Sequence, residues 1–192
     1  MPPLNAAAWA QALTMYEQRY TFLLVGPRTE EEWVGDVAAI MRRETGDPRS
    51  WKAIDVDSDE EERGEDPYFP FAPLPTSRQG RLSWRCQLKP IPRPSAERLL
   101  VLLSTTWLDI PSARRDHAFD EHRPILESQA QTILSRFPED TLIFTNTGYE
   151  GDFPDFYQPV RGCWPISRYE WDLALIAVSE TEVGIVCSFD AS

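Results

Sequence analysis

The chain is poor in lysine, histidine and cysteine. Lys52 and Lys89 are its only lysines among 19 basic residues, and it holds two histidines and three cysteines. Cys86, Cys163 and Cys187 are odd in number, widely spaced and free of any Cys-x-x-Cys pattern. That argues against a disulfide framework or a zinc site and fits buried thiols in a reducing compartment. No Gly-rich loop suited to cradling phosphates occurs. No apolar run approaches the roughly 18 residues of a membrane span. The start, Met1 to Asn5, has neither the basic nor the apolar region of a signal peptide. The expectation is a cytoplasmic protein. Positive charge is scarce too: 31 acidic residues against 19 basic ones leave a formal charge of −12. This excess argues against nucleic acid and anionic membrane, both polyanions, and favours a basic protein as partner.

What is present is enough apolar material for one core. The 192 residues are 42% hydrophobic and 11% aromatic, too many for a disordered chain. No repeat divides them, and each half offers too few strands to fold alone. The expectation is a single α+β domain over 1–192, with an acidic and Pro-rich excursion at about 57–75.

In chain order, Asn5 caps a first helix whose stripe is Trp9, Ala12, Leu13, Tyr16 and Tyr20. A short buried strand follows at 21–25. Thr29 and Glu32 have the spacing of a capping box for a second helix, with Trp33, Val34, Val37, Ala38 and Met41 inward. Residues 51–56 read as a strand. The carboxylates of 57–66 repel one another and predict a solvated, extended run. Pro67, Pro70, Pro73 and Pro75 then forbid helix and central strand. Residues 81–88 alternate apolar and polar, the pattern of a half-buried strand, and 98–104 favour a buried strand with helix as the alternative. Pro124 suits the first turn of a third main helix reaching Phe137, with Leu126, Ala130, Ile133 and Leu134 in its stripe. Strands at 141–146, 173–178 and 183–189 complete the chain. Because 173–178 is apolar on both faces, it should lie centrally with both faces covered. The predicted fold is α+β: a mainly antiparallel or mixed sheet, its C-terminal hairpin central, packed by about three helices.

Four groups of residues hint at chemistry, and each has a plainer explanation. Asp55, Asp57 and Asp59 mimic the start of a calcium loop, but Glu60 stands where the sharp turn needs Gly and Asp66 where the bidentate Glu belongs. His117 and His122 are five apart and do not share a helix face as a zinc-binding i, i+4 pair does. Cys163 lacks a helix N-terminus or cationic neighbour to stabilise a thiolate. Glu150, Asp152, Asp155 and Glu170 could pair for glycoside hydrolysis, but their separations are not readable from sequence. No catalytic residue, metal or cofactor is predicted.

The connection between the strands at 141–146 and 173–178 remains. Long loops on a rigid sheet are where binding surfaces are usually found. Here Tyr149, Glu150, Asp152, Asp155, Phe156, Tyr157 and Trp164 combine aromatic area with negative charge, the composition of an anchor surrounded by a steering rim. Phe156 and Tyr157 are the expected anchors, and Phe153 and Trp171 the expected structural aromatics. The leading expectation is a small acidic binding protein that occludes a basic toxin or enzyme. A bacterial immunity protein has this profile of size and acidity, an analogy of composition alone. The alternatives are a hydrolase using carboxylates within 149–171, and a scaffold or regulatory module.

Overall fold

A computed structural model describes residues 4–17, 19–55, 61–115, 118–149 and 151–190. Strands β1 (Thr21–Pro27), β2 (Ile54–Asp55), β3 (Lys89–Pro90), β4 (Leu142–Thr145), β5 (Trp171–Val178) and β6 (Glu182–Asp190) form one sheet in the order β2-β1-β6-β5-β4-β3, antiparallel throughout. The β5–β6 hairpin is its centre. The lack of alternation in these strands now has its cause: both faces are covered. Leu173, Leu175 and Ala177 point into one apolar layer with Leu23, Val25, Ile143 and Val186. Ala174, Ile176 and Val178 point into the other with Phe22, Phe144, Ile185 and Cys187. Each fully buried aliphatic side chain contributes about 1.5–3 kcal/mol.

Helices α1 (Ala6–Ala12), α5 (Arg93–Leu103) and α7 (Ala118–Leu134) supply residues to the first layer; α2 (Val34–Met41) and α4 (Arg78–Arg85) supply the second. Short helices α3 (Glu62–Glu65) and α6 (Ile110–Arg115) lie between them in sequence. Asn5 caps α1 as its sequence predicts, accepting from the N–H groups of Ala7 and Ala8 at 3.0 and 2.9 Å. The chain then tightens into a 3-10 turn at Leu13–Tyr16, and the Tyr16 hydroxyl donates to Leu100 O in α5.

Several local expectations are corrected. Residues 81–88 are not a strand but the end of α4 and its exit. Ser77 caps that helix through Gly80 N–H, and Trp84 is its one buried residue. Residues 98–104 belong to α5, which starts beside Pro92 and Pro94; Leu99 to Leu103 are all buried, so no polar stripe betrayed the helix. Helix α7 begins before Pro124 and carries it inside, on the exposed side, where solvent can satisfy the carbonyl left without a donor. The capping box at Thr29 and Glu32 does not form. Instead Asp36, inside α2, reaches back and accepts from Thr29 N–H, Thr29 Oγ1 and Glu30 N–H. Only Ile54 and Asp55 of 51–56 pair as strand, and the first half of the acidic run lies outside the described residues.

The Pro-rich segment does more than lie on the surface. Phe71 is fully buried against Phe22 and Phe189, with ring centroids 5.0 and 5.6 Å away. Ala72 N–H donates to Ile166 O, and Arg168 N–H to Pro70 O, tying this segment to the end of the loop before β5. Arg43, in a left-handed conformation just beyond α2, gathers the region. Its guanidinium binds Asp55 through two bonds, donates to Phe69 O and stacks over Phe22.

Candidate functional site

The 147–170 connection is anchored at its root by two buried polar side chains. Asn146, at the end of β4, donates from Nδ2 to Trp164 O and to Asp172 Oδ1, and its Oδ1 accepts from Ala174 N–H at 2.7 Å. Asp172, at the start of β5, accepts from the N–H groups of Ile166 and Ser167 and from Ser167 Oγ. Burial pushes the Asp172 carboxyl above its ordinary range, even though these donors pull it back. The two limbs of the connection also pair directly. Trp164 N–H donates to Asn146 O, and Gly148 N–H to Gly162 O at 2.7 Å. A Cβ on Gly148 would stand 3.1 Å from that carbonyl, so this approach favours glycine.

Within this frame the aromatics divide. Phe156 and Tyr157 turn inward onto the layer holding α5 and α7, only 2% and 8% exposed. Phe156 meets the Tyr149 ring edge-on. The Tyr157 hydroxyl donates to Glu127 Oε1 at 2.9 Å; burial first, and that carboxylate second, raise its pKa. Phe153 and Trp164 turn outward, 80% and 55% exposed. The expected assignment of anchors and plugs is thus reversed for Phe153 and Phe156. Trp171, half-buried against the first layer, keeps the structural place expected of it.

The carboxylates divide as well. Asp152 is exposed, close enough to Tyr149 for its charge to add to the burial that raises the phenol's pKa. Asp155 is tied down by Arg98 at 2.8 Å and by Tyr157 N–H. Burial opposes its ionisation, but these partners prevail and hold its carboxyl below the usual range. Glu150 lies outside the described residues.

These residues border a cleft of about 630 Å³ at the β3 edge of the sheet. Tyr149, Pro154, Asp155, Pro159 and Val160 line it together with Lys89 and Arg161. The two cations were missed from sequence. Lys89 precedes Pro90 in a segment that reads as a strand end, and only the pairing of β3 with β4 brings it to the loop. A second hollow of about 310 Å³, lined by Arg19, Thr105, Trp107, Asp109 and His122, lies away from the loop.

The other candidates stay apart. Asp55 is engaged by Arg43 and Arg63, while Asp57, Asp59 and His117 lie outside the described residues. Among the described residues no group of three or more His, Cys, Asp or Glu side chains could hold a metal. Cys163 is half-buried, and desolvation raises its thiol pKa, the reverse of what a nucleophile needs. Among the described residues no helix is long and apolar enough to cross a membrane.

Comparison with protein-family models, curated proteins and solved structures found no match.

Proposed function

We propose that this is a cytoplasmic binding protein of the inhibitor or immunity type, which uses the 149–164 loop to occlude a basic partner protein. One observation carries the reading: Phe153 and Trp164 are exposed on a loop whose root is locked by Asn146 and Asp172. A rigidly held aromatic gives up little conformational entropy on binding, so such side chains serve well as anchors. Asp152 beside them, within a chain of charge −12, supplies attraction to a cationic surface. Three free cysteines fit a reducing compartment.

The hydrolase alternative finds less support. A general acid needs a raised pKa on an accessible carboxyl. Asp155 is accessible but held ionised by Arg98, whereas Asp172 is raised but fully buried. The test is affinity capture from the native cell extract, with wild type and a Phe153→Ala/Trp164→Ala variant side by side. The reading expects a basic protein retained by wild type and lost by the variant at unchanged melting temperature. Identical retention by both removes the loop from the binding surface and returns the scaffold reading.

A further inference from the structure

The cleft beside the loop has a charge opposite to that of the molecule. Its lining holds two cations, Lys89 and Arg161, and one carboxylate, Asp155, already occupied by Arg98. The Lys89 ammonium is set in place: it donates to Tyr149 O at 3.3 Å and lies 4.9 Å from the centroid of the Tyr149 ring. That ring is fixed in turn by its hydroxyl, which donates to Pro90 O. Among the described residues no carboxylate pairs with Lys89. Two of its protons therefore face the cleft or solvent, within a chain of net charge −12.

The rest of the wall is stiff and apolar, with Pro154, Pro159 and Val160 beside the Tyr149 ring. A cleft of about 630 Å³ falls in the size range of sites that enclose small organic molecules. Phosphate groups are held by several backbone amides at once or by arginine forks. The Gly148 amide here is already spent on Gly162 O, and a single ammonium suits a monoanion better. We propose that the cleft is a binding site for a small organic carboxylate with a flat apolar body. The carboxylate meets Lys89 Nζ, and the body lies between the prolines and Tyr149. This site does not depend on the partner reading, since it needs only the free protein.

The test is calorimetric titration of the whole chain with 2-naphthoate and its neutral counterpart 2-naphthamide. A charge-assisted contact should make the carboxylate bind roughly tenfold more tightly. Lys89→Met, which keeps the aliphatic stem, should bring the two ligands to equal affinity, and Lys89→Arg should retain most of the difference. A melt of each variant without ligand checks its fold, and the wild-type ligand pair is decisive even if Lys89→Met unfolds. Equal wild-type affinities, no binding of either, or a preference surviving in a folded Lys89→Met overturns the proposal. A third probe, acetyl-Gly-Gly-Phe with a free carboxylate, separates a small molecule from a chain terminus. Tighter binding of that peptide than of naphthoate overturns the small-molecule assignment.

Discussion

Arg136 and Glu182 form a buried, two-bonded ion pair, with Nε to Oε2 at 3.1 Å and Nη2 to Oε1 at 2.9 Å. The guanidinium also takes two bonds from Asp47 and lies between the rings of Trp9 and Trp51, 4.9 and 5.1 Å from their centroids. Its side chain has no exposed surface. Arg49 shares Glu182 from the more open side. Replacing Arg136 with Met leaves two carboxylates buried without their cation and should lower stability by about 3–5 kcal/mol. Urea unfolding measures this; a midpoint unchanged from wild type shows the network to be energetically idle.

The sheet meets α7's exit just beside this pair, where the Phe137 ring covers Gly184. A Cβ on Gly184 would fall 2.5 Å from Phe137 Cζ. The Gly184→Ala variant should therefore cost about 1–3 kcal/mol through forced repacking, although alanine fits a strand better than glycine does. The double variant Gly184→Ala/Phe137→Leu should recover part of the loss in thermal melts. If Gly184→Ala alone melts as wild type, the packing of this face is looser than described.

Asp55 predicts a pH dependence. Burial alone would raise its pKa, but Arg43 and Arg63 outweigh that effect and hold the carboxyl below its ordinary value. A depressed folded-state pKa means stability that is present above the unfolded value of about 3.9 and lost as pH falls through the folded one. Asp55→Asn should be less stable than wild type by roughly 1–3 kcal/mol at neutral pH, the worth of its charged hydrogen bonds. The gap should close only as the pH drops below about 4. Melts of both proteins from neutral to acid pH decide it. A gap independent of pH would assign the loss to packing instead.

The division of the loop aromatics gives a prediction independent of any partner. Phe156→Ala empties a core position and should cost about 3–5 kcal/mol. Tyr157→Ala should cost as much, and it also strands Glu127. Phe153→Ala and Trp164→Ala should leave stability within about 0.5 kcal/mol. Chemical unfolding of the four variants checks the order, and a reversed order would mean the loop sits differently on the sheet.

The parts of this fold that were legible are those where local pattern and tertiary place agree. The doubly apolar 173–178 declared a central strand, and Asn5 before a 3.6-residue stripe declared the first helix. The misread parts are those where the two diverge. In 81–88, Leu82, Trp84, Cys86 and Leu88 fall at every second position, yet α4 buries only Trp84 among its own residues. In α5, burial on every side erased the periodicity. Arg136 between Ser135 and Phe137 looks like any surface arginine until Asp47 and Glu182, distant in sequence, close on it. The position of the candidate surface was legible as a long connection between strands. Which aromatics face outward was not, because that depends on the pairing of Gly148 with Gly162 and on the donors gathered by Asp172.

Association kinetics against the captured partner test the central claim most directly, at low and high salt, with wild type and a Glu150→Gln/Asp152→Asn variant. Asp155 is left intact because Arg98 holds it. If the loop steers a basic protein, neutralisation should slow association several-fold at low salt with little change in dissociation. The difference should vanish once salt shortens the Debye length to a few ångströms, about 3 Å at 1 M. Equal association rates for wild type and variant at low salt would contradict the account.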